Sequence, residues 1–96
     1  MKHLVLAAAL AVGATAAQAQ APIQIGHIAD FSGPTSDVGV PYGHGVRDAL
    51  AWVNANRAIG GRRMNVMTID YGYQAPRAIA QYQAWMGRER PVAIQG

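Results

Sequence analysis

The sequence predicts an α/β fold built on a doubly wound parallel sheet, and three observations carry that prediction. Hydrophobic periodicity alternates along the chain between strand-like and helix-like spacing. The segments fall in the order strand, helix, strand, helix, strand, and a polar loop rich in turn residues follows each of the first two strands. Strands alternating with helices call for right-handed crossovers and a parallel sheet covered on both faces. The predicted unit is the first βαβαβ part of such a lobe and is incomplete, because three parallel strands leave long unpaired edges and a half-covered sheet. The other reading is a complete three-strand mini-domain.

Residues 1–19 come first and read as a signal peptide. Met1-Lys2-His3 gives a positive start, Leu4 to Ala17 is an almost unbroken apolar run, and Ala17-Gln18-Ala19 supplies the small residues that fit a peptidase cleft. Cleavage is expected between Ala19 and Gln20, since a cut after Ala21 would place Pro22 beside the scissile bond. A buried Ala-rich helix or a membrane anchor is the competing reading, but the run is short of the about 20 residues that span a bilayer. No later stretch is long and apolar enough to span one, so no membrane span is expected in the mature chain.

Pro22 to Ala29 alternates apolar with small or polar residues and then runs apolar, as a strand near the centre of a sheet does. Asp30 to Gly39 (DFSGPTSDVG) is predicted to be a loop. From Pro41, suited to a first helical turn, the apolar positions Tyr42, Val46, Ala49, Leu50 and Val53 recur at helical spacing and end near Asn54-Ala55-Asn56. Ile59-Gly60-Gly61-Arg62 is a tight turn. Met64 to Tyr71 is a second strand, with Met64, Val66, Thr68 and Asp70 on one face and Met67, Ile69 and Tyr71 on the other. A loop over Gly72 to Ala75 follows, Pro76 opens a helix running to about Glu89, and Pro91 to Gln95 reads as a third strand.

Composition narrows the function. The chain of 96 residues contains no cysteine, which excludes a disulfide framework, Cys-ligated metal and a lipid acceptor at the cleavage site. Its net charge of +3 comes from Lys2 in the leader and from arginines that stand singly or as one pair, with no basic stripe interleaved with aromatics. Nucleic-acid binding is therefore not expected. Residues 20–96 are few for a self-sufficient core without disulfides or metal.

Ligand sites in open parallel sheets lie beyond the carboxyl ends of the strands. That rule points to the DFSGPTSDVG loop, with Ser32, Gly33, Thr35, Ser36, Asp37 and Val38 as candidate ligand-binding residues, and to the second loop, where Tyr71 and Tyr73 can stack on a ligand. A loop that caps a helix and touches only solvent is an equal reading of the first segment. His3, His27 and His44 are too far apart for a metal cluster, and His27 is expected to be a packed or surface imidazole. Asp30 and Asp70 both end strands; a carboxylate pair for acid/base chemistry is one reading, and loop anchoring or binding the preferred one. No catalytic residue, phosphate-binding fingerprint, metal site or cofactor is assigned. Trp52, Trp85, Tyr82 and Met86 fall at helix-face spacing, as core or lobe-surface residues do.

The ordered set IGHIADFSGPTSDVG (25–39), VRDALAWVNA (46–55) and IGGRR (59–63), followed by a strand ending in Asp and a Pro-opened helix, resembles the leucine/isoleucine/valine-binding type of periplasmic substrate-binding protein of ABC transporters. The resemblance covers the whole mature chain. It implies the N-terminal part of lobe 1 of a two-lobed protein in the periplasm, one that closes on a small solute and delivers it to an inner-membrane permease rather than catalysing a reaction. Amino-acid-binding relatives often carry Tyr-Gly at the place of Val38-Gly39, so a leucine-like ligand does not follow directly; amides, urea and aromatic acids are other solutes of such relatives. Residues 20–96 are then expected to form part of one cleft wall and to bind nothing tightly alone. Arg57-Ala58 replaces a usual Gly-Gly, which would move the left-handed helix end to Asn56, Gly60 or Gly61. Ala75 stands where an Asp cap is common, and Gly45 matches a glycine expected to approach the sheet. A ligand-binding sensor domain and a secreted α/β enzyme are the alternative functions.

Overall fold

The computed structural model describes residues 20–57 and 59–96. The leader with Ala19, and Ala58, lie outside the described residues. The elements follow the predicted order: β1 (Ile23–Ala29), α1 (Ser36–Asn56), β2 (Met64–Asp70), α2 (Ala75–Gly87) and β3 (Ala93–Gln95). All three strands are parallel in the order β2-β1-β3. Along β1, Ile23 faces Met64 and Ala29 faces Asp70 on one side, while Ile25 to His27 pair with Ala93 to Gln95 on the other.

Side-chain alternation along β1 puts the two helices on opposite faces. A Cβ on Gly26 would stand 2.7 Å from the Trp85 ring of α2 and 3.0 Å from Ile94, so the bare glycine is what lets α2 press onto that face. Trp85 is accordingly 4% exposed. On the other face His27 meets α1 near Gly43. There Val46, Leu50 and Val53 confront Ile25, Val66 and Ala93 across a groove of about 540 Å³, and no residue of α1 is fully buried. Among the described residues only Ala29, Trp85, His27 and Asp30 have buried side chains. The small core expected from the length of the chain is thus a physical fact of the α1 face.

Four local expectations are corrected. The sequence predicts a loop through Gly39 and a helix from Pro41, but α1 begins at Ser36 and Pro41 lies inside it. The Ser36 N–H donates to the Gly33 carbonyl at 3.1 Å, and the Val38 and Gly39 N–H groups both donate to Thr35, so the first turn closes before the proline. Proline only denies the Asp37 carbonyl its usual donor. At the other end, the left-handed residue is Arg57 itself (φ 52°, ψ 37°), whose N–H donates to the Val53 carbonyl. Asn56 remains helical and its side-chain amide donates to the Trp52 carbonyl at 2.8 Å, while Gly60 and Gly61 take positive φ in the turn that follows. A Cβ on Gly45 would meet nothing within 4 Å; the close approaches are at Gly39, against the Asp30 carbonyl, and at Gly43, 2.7 Å from Phe31. Ala75 is the first residue of α2, with Gln74 at the N-cap, and the helix stops at Gly87, two residues before the expected end.

Candidate functional site

The chain leaves β1 for β2 on one side and then returns past β1 to β3 on the other, so its connections diverge at the carboxyl ends of β1 and β3. Such a switch point opens a crevice between loops. A cavity of about 270 Å³ lies there, bounded by Ala29, Thr35, Val38, Tyr42, Tyr71 and Gly96.

Two aspartates organise the loops beside it. Asp30, at the end of β1, is 5% exposed. Its carboxylate accepts from the Gly33 N–H at 2.6 Å, the Thr35 N–H at 2.9 Å and the Thr35 hydroxyl at 2.7 Å. Burial by itself raises the Asp30 pKa, but the Thr35 and Gly33 donors outweigh it and the nearby Asp70 charge, holding the carboxyl below the usual range. Asp70, at the end of β2, accepts from Phe31 N–H and Gly72 N–H, each at 3.0 Å. It too is held below the usual range, by the Ser32 hydroxyl first and the Phe31 amide next. Asp70 therefore ties the first loop to the second, and the Tyr71 N–H reinforces the join by donating to the Ala29 carbonyl at 2.8 Å. Gly33 fits between the loops because a Cβ there would stand 2.6 Å from the Asp30 carboxylate and 2.7 Å from the Gly72 backbone.

The predicted site residues thus separate into two groups. Ser32, Gly33 and Thr35 spend their donors on the aspartates. Thr35 occupies the N-cap position of α1, yet its hydroxyl turns to Asp30 instead of capping the helix. Ser36, Asp37 and Val38 form the first turn of α1, where Asp37 and Val38 are exposed and Val38 lines the cavity. Tyr71 lines the cavity as well, and its ring centroid is 6.1 Å from that of Tyr73, which is 57% exposed. Asp30 and Asp70 do come together across the sheet, as their strand-end positions predict. Held by these donors and with their pKa values lowered, they act as fixed acceptors and not as proton donors near neutral pH.

His27, Gly39 and Tyr42 also line the cavity and were not legible as site residues. Beginning the helix at Ser36 would have revealed two of them, since Thr35, Gly39 and Tyr42 then fall on one helical face. His27 is 1% exposed, held edge-on by the rings of Phe31 and Tyr42 at 6.1 and 5.6 Å, with its Nε2 unpartnered. Burial lowers its pKa. Among the described residues no His, Asp and Glu side chains gather in the groups of three that hold metal ions.

A cavity at a sheet switch point, walled by loops that internal carboxylates hold rigid, is a small-molecule binding geometry. The family model for periplasmic binding proteins matches residues 22–96, every element of the fold included. The chain belongs to the periplasmic binding protein family. Neither the curated proteins nor the solved structures include a match to it. The parallel β2-β1-β3 sheet with a helix on each face is part of a type I periplasmic binding protein lobe. This is a family of extracytoplasmic, small-molecule-binding proteins and not a family defined by catalysis. No helix among the described residues of this periplasmic binding protein is long and apolar enough to cross a membrane.

Proposed function

We propose that the protein is the extracytoplasmic solute-binding component of an ABC transporter. It captures a small polar solute, whether a branched-chain amino acid, an amide or urea, or an aromatic acid, and presents it to an inner-membrane permease. The observation that carries this reading is the cavity of about 270 Å³ at the switch point, whose two bounding loops are locked together by Asp70. A wall that is rigid before the ligand arrives loses little entropy on binding. Val38, Tyr71 and Tyr73 supply the contact surface, Ser36 and Asp37 its polar edge, and Ser32, Gly33 and Thr35 hold its shape. The hydrogen-bonded state of Asp30 and Asp70, with both pKa values lowered, favours binding over acid/base catalysis. The positive, apolar and small-residue sequence of residues 1–19 supports export to the periplasm through a signal peptide cleaved between Ala19 and Gln20.

Thermal-shift screening of the full-length protein against amino acids, amides, urea and aromatic acids tests the proposal. A stabilising solute is expected within one of these classes, with a rise in Tm that grows with its concentration as mass action requires. Stabilisation by none of them overturns it.

A further inference from the structure

Residues 71–74 form a turn closed by the Gln74 N–H donating to the Tyr71 carbonyl at 3.0 Å. Both central residues have positive φ, 59° at Gly72 and 59° at Tyr73. That sign pattern belongs to type I′ turns, which favour Gly, Asn or Asp at both central positions because a Cβ crowds the neighbouring carbonyl there. Gly72 meets the requirement and Tyr73 does not. A bulky residue in this conformation is often compensated by burying its side chain, but the Tyr73 ring is 57% exposed. The turn is held open to this strain by Asp70, which accepts from Gly72 on one side and from Phe31 of the first loop on the other. The result is an exposed aromatic ring, fixed 37° from the plane of Tyr71 with centroids 6.1 Å apart, beside a residue that lines the switch-point cavity. Strained residues that persist without a packing gain cluster at ligand sites.

We propose that Tyr73 is a specificity-determining residue of the solute site: with Tyr71 it forms a stacking platform at the cavity mouth that selects a solute carrying an aromatic ring. The inference rests on the solute-binding reading above. Two tyrosine faces set at an angle offer an incoming ring both offset-stacked and edge contacts, which a saturated solute of equal size cannot use. The neighbouring exposed surface is also apolar and aromatic, with Val38 at 67% and Tyr42 at 48% exposure on the first two turns of α1.

The test uses calorimetric titration of the full-length protein with benzoate and phenylalanine against their saturated counterparts cyclohexanecarboxylate and leucine, for wild type, Tyr73→Gly and Tyr73→Phe. Wild type is expected to prefer an aromatic member of a pair. Tyr73→Gly should weaken that ligand on the order of tenfold, leave the saturated counterpart unaffected, and keep or raise Tm because glycine relieves the turn. Tyr73→Phe should retain wild-type affinity. Preference for the saturated partner, or undiminished aromatic binding by Tyr73→Gly, overturns the role of Tyr73 while leaving solute binding intact. A loss of Tm in Tyr73→Gly with affinity unchanged assigns the residue to folding alone and equally overturns it. Wild type that responds to no solute in the wider screen removes the solute-binding reading, and the platform with it.

Discussion

At the scale of single residues, Asp30 organises the first loop: one carboxylate receives three donors and thereby sets where α1 starts. Its backbone carbonyl also comes so near Gly39 that a side chain there would overlap it. Gly39 and Gly45 both sit in α1, and sequence gives no way to rank them. Their surroundings do, since a Cβ on Gly45 meets open space. Gly45→Ala is expected to stabilise the protein by roughly 0.5–1 kcal/mol, the usual helical gain over glycine. Gly39→Ala makes the same gain but forces loop and helix apart, an overpacking cost of about 1–3 kcal/mol that exceeds it. Urea unfolding of the two variants should move the midpoint in opposite directions; movement in the same direction would show that Asp30 does not fix the helix start.

At the scale of elements, α1 is the most compromised part of the fold. It carries Pro41 in its interior, holds Gly39, Gly43 and Gly45 within one ten-residue stretch, and buries no residue completely. Its first turns are therefore held by the hydrogen bonds of the Asp30 loop more than by helix propensity. Pro41→Ala restores a donor for the Asp37 carbonyl and removes the ring clash; a gain on the order of 1–3 kcal/mol is expected, measurable by chemical denaturation. An unchanged or lowered stability would mean that the proline ring packs usefully. This element also explains the misplaced helix start. Proline is a strong local signal for a first turn, whereas the start at Ser36 is braced by Asp30 just outside the helix, whose carboxylate accepts from Gly33 and Thr35 and leaves no periodic signal. The strands and α2 were more legible because period and punctuation agree there, as with Pro76 at the second position of α2.

At the scale of the whole molecule, three groups among the described residues have shifted pKa values and make stability depend on pH in one direction. Buried His27 binds a proton less readily than an unfolded imidazole, so its contribution is complete above the ordinary value of about 6.5 and declines as pH falls below it. Asp30 and Asp70 are depressed carboxylates, whose contribution is present above the ordinary 3.8 and is lost as pH falls through their folded values. Denaturation midpoints should therefore hold steady above neutrality, fall as pH passes below about 6.5, and fall again in the carboxylate range. His27→Gln should remove the first decline and keep the second. A wild-type profile flat between pH 7 and 5 would refute the assignment to His27.

Sequence alone determined the α/β class, the order of elements and the two loops that carry the candidate site, because hydrophobic period and turn residues are local and leave their mark in neighbouring positions. It also marked Asp30 and Asp70 as strand-end residues with a shared place. Only the tertiary structure decided which donors those carboxylates take, that Gly39 and not Gly45 is the close contact, and that His27 and Tyr42 belong to the cavity. For Asp70 the physical reason is distance along the chain. Phe31 and Asp70 stand 39 positions apart, and their hydrogen bond exists only once β1 and β2 lie side by side. The same pairing turns the loop of β2 toward the loop of β1, so that Tyr71 lines the cavity and the Tyr73 ring stands beside that of Tyr71.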